Sequence, residues 1–590
     1  MLSKIDLTQG GITGTLLRFT LPMIIGSLLQ QCYNIADTLI VGQCIGSGAL
    51  AAVGSAYTLM VFLISILLGL SMGSGTVFSL QYGAGRTDSL RRNIYVSALL
   101  IGTVTLILNI AAFVWIHPIL RLLQIPKDIY GMMYDYLWII FWGIGFTFIY
   151  NFYAALLRAI GDAVTPLWFL AVSVVLNIGL DLFFILQLDW GIKGAAIATV
   201  AAQGVSALGI MGYAYVKYPE LRLHRNDLHF DRHCLKEITS FSALTCVQQS
   251  VMNLGILMVQ GLVNSFGTVV MAAFAAAIKI DSFAYMPVQE FGNAFSTFIA
   301  QNFGARKEER IRKGVKSALI TTVLFSLVIS ILVFLFAKPL MLIFVRPHET
   351  EILNIGISYL RIEGAFYCGI GILFLLYGYY RAIRMPGMSV VLTVVSLGTR
   401  VALSYWLAGI PAIGVIGIWW SIPIGWFIAD VIGIIYYKQL KRKQQRKYQH
   451  HDNAHNNLQR QPYLYIIHKG ILSGGHHQRI GRSGEWRSET HTCPQCHRKE
   501  KRYGTYPYLC CTLHRDRSQK HCGSRVADKH RHQGSSEINT RHQRQRSVCS
   551  QFTDQTVRNV FGSPCLFQCQ RHRQHGRNEY DAFPVNGFVS

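Results

Sequence analysis

Along residues 1–440, twelve predominantly apolar stretches alternate with short polar segments. A helix crossing a bilayer needs about 20 mainly apolar residues, because backbone groups left unpaired in hydrocarbon cost several kcal/mol. The first six stretches lie near residues 16–42, 49–80, 94–116, 131–157, 164–187 and 193–216. The other six lie near 238–264, 269–301, 315–345, 355–383, 388–409 and 413–437. The pattern predicts an all-α membrane protein with twelve transmembrane helices. The polar start, Met1 to Thr20, leads through Leu16, Leu17 and Phe19 directly into the first stretch, so no cleavable signal peptide is expected.

The chain also repeats itself. Gln81-Tyr-Gly-Ala-Gly-Arg86 after span 2 is echoed by Gln301-Asn-Phe-Gly-Ala-Arg306 after span 8. Tyr136-Leu137, Arg158-Ala-Ile160 and Gly191-x-x-Gly194 recur 223 residues later as Tyr359-Leu360, Arg381-Ala-Ile383 and Gly414-x-x-Gly417. One constant offset argues against chance matches. Two parallel six-helix lobes follow, residues 1–220 and 221–447, an arrangement of transporters that bind their solute between the halves.

Composition agrees with a lipid environment. Hydrophobic residues make up 51% of the chain and charged ones 14%, with a mean hydropathy of +0.31. Soluble domains are about 25% charged, so a single water-soluble domain is excluded, as are wholesale disorder and a disulfide-stapled secreted fold. Charge is distributed unevenly. Residues 1–440 hold 28 Lys and Arg against 20 Asp and Glu, whereas residues 441–590 hold 27 against 10. Within the body, loops after even-numbered spans carry most of the basic residues, among them Arg86, Arg91, Arg92, Arg306, Lys307 and Arg310. The opposite loops hold few: Arg121, Lys127, Lys193, Lys338 and Arg346. Positive loops stay in the cytoplasm, so both termini of a multi-pass plasma (inner) membrane protein are expected there.

Ionisable residues inside a span cost roughly 2.5–3.5 kcal/mol and mark function by default. Two carboxylates lie in apolar spans of the first half, Asp37 in span 1 and Asp181 in span 5. Each follows a polar residue by one helical turn, Tyr33 and Asn177, which puts each pair on one helix face. Counted at 1.5 Å per residue, Asp37, Asp181 and Thr199 of span 6 all lie about 9 Å inside the same end of their helices. One cluster is therefore expected, in which two mutually repelling carboxylates load and release a proton. Capping of a broken helix is the plainer reading. The repeat argues against it, since Asp181 maps to Ser404 and Asn177 to Arg400, and shared scaffold should recur.

The second half offers Gln248, Gln249 and Asn253 in span 7, Lys279, Asp281 and Glu290 in span 8, and Glu363 in span 10. The glutamines serve equally as cavity lining or as interhelical hydrogen-bond partners. Lys279 and Asp281, two residues apart, do not share a helix face and need other partners. Glu290 with Glu363 forms a rival cation site. Trp115 and His117 fit an interfacial belt. The cysteines of the body, including Cys32 and Cys368, have no ligand spacing and read as small apolar residues. No nucleotide-binding loop, nucleophile elbow or His-Glu-x-x-His occurs, so neither an enzyme nor an ATP-driven pump is expected, and no cofactor.

These residues resemble a known family. Pro22, Asn34-x-x-Asp37, Val41-Gly42 and Gly48-Ala-Leu-Ala-Ala-Val-Gly54 resemble the first span of multidrug and toxic compound extrusion (MATE) transporters. Asn177-x-x-x-Asp181 and Gly194-Ala-Ala-x-Ala-Thr199 resemble spans 5 and 6 of the bacterial DinF-like branch, and the likeness covers about residues 10–440. The resemblance implies secondary active export of small cationic amphipathic drugs or dyes, driven by H+ or Na+, with no obligate protein partner. It further implies cation coupling at Tyr33, Asp37, Asn177, Asp181 and Thr199, with Pro22 linked to bending of span 1. Span 7 has no carboxylate, so the acidic site of the NorM-like branch is not matched there.

Residues 448–590 form a tail rich in His, Arg, Gln and Cys, with no sustained apolar periodicity. Cys493-Pro-Gln-Cys496 has a zinc-ligand spacing, although its second half is not regular. The positive charge also suits nucleic acid or anionic lipid. Out-of-frame translation after a shift near residue 445 explains the abrupt change better, since nothing in the tail builds a core. A metal site and a nucleic-acid partner are therefore not expected. The rival functions are a lipid-linked oligosaccharide flippase, which would need a strongly cationic cavity, and a membrane-anchored zinc- or nucleic-acid-binding protein.

Overall fold

The computed structural model describes residues 4–470 apart from 123, 124, 126 and 228–230. Cys493, Cys496 and the remainder of the tail lie outside the described residues. The first lobe comprises α1 (Ile12–Cys44), α2 (Ser47–Gly83), α3 (Thr87–Val114), α4 (Ile116–Leu122), α5 (Lys127–Trp142), α6 (Ile144–Ala159), α7 (Val164–Leu182) and α8 (Gly191–Lys217). The second comprises α9 (Arg232–Asn264), α10 (Thr268–Gly304), α11 (Glu308–Met341), α12 (Thr350–Gly364), α13 (Tyr367–Ala382), α14 (Pro386–Ala408) and α15 (Val415–Gly470). Among the described residues there is no β-strand.

Ten of these helices are long and apolar enough to cross a membrane alone. The other two spans are bent pairs, α5 with α6 at 44° and α12 with α13 at 51°. Spans 4 and 10, expected as single helices, are thus broken at equivalent places in the repeat. Gly143 interrupts the first, and Ala365-Phe366, directly after Gly364, the second, glycine being a weak helix former. A second difference concerns the end of the body. Helix α15 runs past Lys447 to Gly470, into the segment expected to lack structure. Extending an existing helix needs no new nucleus, so polar residues that would not start a helix alone can continue one.

Backbone geometry repeats with the sequence. Gly46 and Gly267 have φ of 113° and 96°, Gly85 and Arg306 have 69° and 56°, Gly161 and Arg384 have 95° and 67°, and Gly191 and Gly414 have 52° and 53°. Left-handed residues at four matched turns are a stricter test of the repeat than side-chain similarity, because each fixes where a helix ends and how the next departs.

Three buried apolar clusters hold the bundle together. One belongs to the first lobe, around Leu67, Leu137 and Phe141, and one to the second, around Phe274, Tyr359 and Trp419. The third joins the lobes, packing Phe78, Leu80 and Phe152 against Phe295, Phe298 and Ile299. It lies near the face that carries the basic loops. There the helices approach so closely that a Cβ on Gly83 would stand 2.0 Å from the Gln301 carbonyl oxygen, and one on Gly304 would stand 2.1 Å from that of Leu80. Gln301 donates to the Ala159 carbonyl at 2.7 Å across the same seam. The N-terminal segment straps it: the Ile5 N–H donates to Gly161 at 2.9 Å, and Asn302 and Arg310 both donate to the carbonyl of buried Leu7.

Candidate functional site

Helix α1 carries Tyr33 and Asp37 one turn apart, and α7 carries Asn177 and Asp181 in the same relation. Helix α8 returns beside α7 with Thr199. The structure brings all five together. The Asp37 and Asp181 carboxyl groups face each other within hydrogen-bonding reach, and the Tyr33 hydroxyl reaches Thr199. The Asn177 amide is oriented by its neighbours: its nitrogen donates to Asp181 Oδ2 at 2.9 Å, and its oxygen accepts from the Thr199 backbone N–H at 3.2 Å. Asp181 is fully buried, and its Oδ1 has no hydrogen-bond partner. Immediately beyond Leu182 the chain widens into a π turn over Phe183–Gln187, an irregularity common at functional positions. Among the described residues no Lys or Arg forms an ion pair with either carboxylate.

Pro22 lies inside α1, which runs unbroken across it. Proline has no N–H to donate to the carbonyl four residues back. The hydrogen-bond ladder of α1 therefore lacks one rung there, on the same element as Asp37.

A cavity of about 580 Å³ lies between the lobes, in the half of the bundle away from the basic face. Tyr33, Asn177 and Thr199 stand in its wall from the first lobe, whereas Asp37 and Asp181 do not reach it. The acid pair thus sits one side chain behind the cavity. Aromatic residues, among them Tyr57, Phe146, Tyr285 and Trp426, supply much of the remaining wall. Gln249, Asn253 and Glu363 line the cavity, and Gln248 does not.

The expected pairing of Glu290 with Glu363 is not what the fold produces. Glu363 stands instead with Asp281 and Arg400, within electrostatic range of both. Asp281 accepts a hydrogen bond of 2.7 Å from the Tyr367 hydroxyl, which supplies the partner the sequence left open. Glu290 follows Asp281 by nine residues on α10, about 13 Å further along the helix. It lines a smaller cavity of about 140 Å³ towards the basic face, with Gln248 and Gln249.

The second lobe therefore has an acid pair of its own, built from α10 and α12 rather than from the repeat mates of α1 and α7. Both residues are named in the sequence reading but not paired with each other, because α10 and α12 carry them at positions that no spacing relates. Two tyrosines reveal the correspondence. Tyr136 lies within electrostatic range of Asp37 and Asp181, and its mate Tyr359 holds the same relation to Asp281 and Glu363. The difference between the lobes is Arg400, which stands where the first lobe has Asn177. Asp430 on α15, buried with Oδ1 unpartnered, was also missed, although a lone acid in an apolar run was a legible signal.

Comparison with known proteins assigns the chain. The family model MatE matches residues 22–183 and 244–406, one segment in each lobe. The probable multidrug resistance protein YpnP of Bacillus subtilis (strain 168) is 29% identical over 417 residues, covering 70% of this chain and 90% of the relative. YoeA of the same organism, also named a probable multidrug resistance protein, is 26% identical over 442 residues, covering 72% and 94%. A crystal structure of MATE in complex with MaL6 superposes with a TM-score of 0.70 at 23% identity, covering 74% of this chain and 98% of that one, a likeness of fold. With a family match in both halves of an internally repeated twelve-span fold, the chain belongs to the MatE family of multidrug efflux transporters, which are multi-pass membrane proteins and not enzymes.

Proposed function

We propose that the protein exports cationic amphipathic compounds in exchange for H+ or Na+, using the Asp37–Asp181 pair as its coupling site. The observation that carries this reading is a pair of facing carboxyl groups with which, among the described residues, no Lys or Arg forms an ion pair. Two facing carboxyl groups in a buried setting cannot both be ionised without a positive partner. Around Asp281 and Glu363, Arg400 is part of the protein; around Asp37 and Asp181 a mobile cation is needed. The aromatic cavity next to the pair suits a flat apolar cation, whose charge is attracted by ring faces and by acids.

Coupling follows from the position of Asn177. It touches the acid pair on one side and the cavity on the other, together with Tyr33 and Thr199. Loading a cation onto the pair changes what Asn177 can donate to and relaxes the packing of α1 against α7 and α8. A bound solute is thereby displaced, and release of the cation on the opposite side resets the site. Net transport requires that cation and solute prefer different conformations. With the basic loops cytoplasmic, the Gly83–Gly304 seam is the closed cytoplasmic gate and the cavity belongs to the outward-facing state. A flippase for anionic lipid-linked sugars is disfavoured, because Arg400 is outnumbered by Asp281 and Glu363 around the main cavity.

The test is efflux of a fluorescent cation from proteoliposomes under imposed H+ or Na+ gradients, comparing wild type with Asp37→Asn and Asp181→Asn. Gradient-driven efflux in wild type that both variants lose is the expected result. Full gradient-driven efflux in both would move the coupling site to the second lobe.

A further inference from the structure

The smaller cavity is electrostatically unlike the main one. Arg158 from the first lobe and Arg381 from the second both line it, with Glu290 as the acid in its wall. The two arginines are repeat mates, each in the last turn of its helix, α6 and α13. Such a residue ordinarily complements the helix dipole and reaches out to the headgroups. These two turn inward between the lobes instead. Arg381 is buried, and among the described residues its guanidinium donates to Ser296 Oγ at 3.4 Å and Asn293 Oδ1 at 3.3 Å, both longer than a strong charge-assisted bond. The Arg158 Nε is buried with no partner. Among the described residues no carboxylate lies within 4 Å of either guanidinium. Glu290 is within electrostatic range of Arg158, so two guanidinium groups and one carboxylate leave one unmatched positive charge, that of Arg381, in a space of about 140 Å³.

An underpartnered buried guanidinium is costly to keep unless something fills it. The two cavities share Leu68, Gln249, Met252, Gln289, Phe374 and Tyr377 as a common wall. An occupant of the smaller one is therefore within reach of the larger. We propose that Arg158 and Arg381 form a subsite for an anionic group, a carboxylate or phosphate, carried by an amphipathic solute whose aromatic body fills the main cavity. Because one arginine comes from each lobe, the subsite exists only while the seam is closed, and opening the seam dismantles it.

This inference rests on the exporter reading for the body of the solute, and a matched pair of dyes separates the two. Rhodamine 6G is the ethyl ester of rhodamine 19, so they share the cationic xanthene and differ in a free carboxylate. Their binding to the purified full-length protein in detergent is read by fluorescence polarisation. Wild type is expected to bind the acid about fivefold or more tightly than the ester, on the scale of a charge-assisted hydrogen bond. Arg158→Gln and Arg381→Gln should bring that ratio close to one while leaving the ester's Kd within about twofold, and Arg381→Lys should keep part of the preference. A merely structural role for the arginines would shift both dyes together and overturn the proposal. Equal affinity for the two dyes in wild type, or an unchanged ratio in both glutamine variants, also overturns it. Binding of the acid but not the ester would support the subsite while removing the cationic-solute reading.

Discussion

Placing one methyl group on Gly83 should alter the balance between conformations without touching either acid pair. A Cβ there would stand 2.0 Å from the Gln301 carbonyl oxygen and 2.6 Å from Gln301 Cα. Ordinary van der Waals contact begins near 3.4 Å, so α2 and α10 must separate by more than about 1 Å at this point. Both partners are backbone, and no side chain can rotate aside. Overpacking of this kind costs about 1–3 kcal/mol. Only the conformation with the seam closed bears that cost, so Gly83→Ala should raise the population of the seam-open state by a factor of about 5 to 150. Ser296 is buried beneath the seam and makes a suitable reporter. In a cysteine-free background, the rate at which a membrane-impermeant maleimide labels Ser296→Cys from the basic face should rise by that factor. Gly102→Ala is the control, because its Cβ would meet only the Phe148 ring at 3.8 Å, within one lobe. Equal labelling rates in the Gly83 variant and the control would refute the argument that this contact holds the gate shut.

Two further outcomes are expected. Asp227, in the loop between α8 and α9, is buried, which works against its charge; the His224 backbone N–H and the Arg91 guanidinium at 3.0 Å outweigh that and hold its carboxyl below the ordinary value. Its stabilisation is present above the unfolded-state pKa and is lost as pH falls through the lower folded one. Asp227→Asn should therefore lower stability at pH 7 by about 1–3 kcal/mol, and the difference in Tm from wild type should shrink below about pH 4; a difference that grows on acidification would refute the assignment. A chain ended after Lys447 should express and transport as the full chain does, because every residue of both cavities and both acid pairs precedes that point; loss of both properties would show that the later residues are needed.

Much of the first lobe's site was legible because its evidence is local. The i,i+4 spacing of Tyr33 with Asp37 and of Asn177 with Asp181 fixes a common face on each helix, and counting residues from the span ends fixes depth. Three helices with polar groups at one depth then had few ways to avoid meeting. The second lobe was harder to read for the same reason. Asp281, Glu363 and Arg400 come from α10, α12 and α14, at unmatched positions, and no spacing relates them. Glu290 and Glu363 were paired by residue type alone, whereas about 13 Å of helix rise separates Glu290 from the Asp281–Glu363 cluster.

The sequence by itself determined that this protein lies in a membrane, that it has twelve spans in two related lobes, and that charges at Asp37 and Asp181 require an explanation. These follow from the hydrophobic effect and the helix repeat, which act over one or two turns. Only the tertiary structure decided that the acid pair stands behind the cavity wall rather than in it, that Arg400 gives the second lobe a cation of its own, and that Arg158 and Arg381 face one space. Those facts depend on how helices rotate and cross, and close approaches such as Gly83 to Gln301 set that geometry through contacts between residues more than two hundred positions apart.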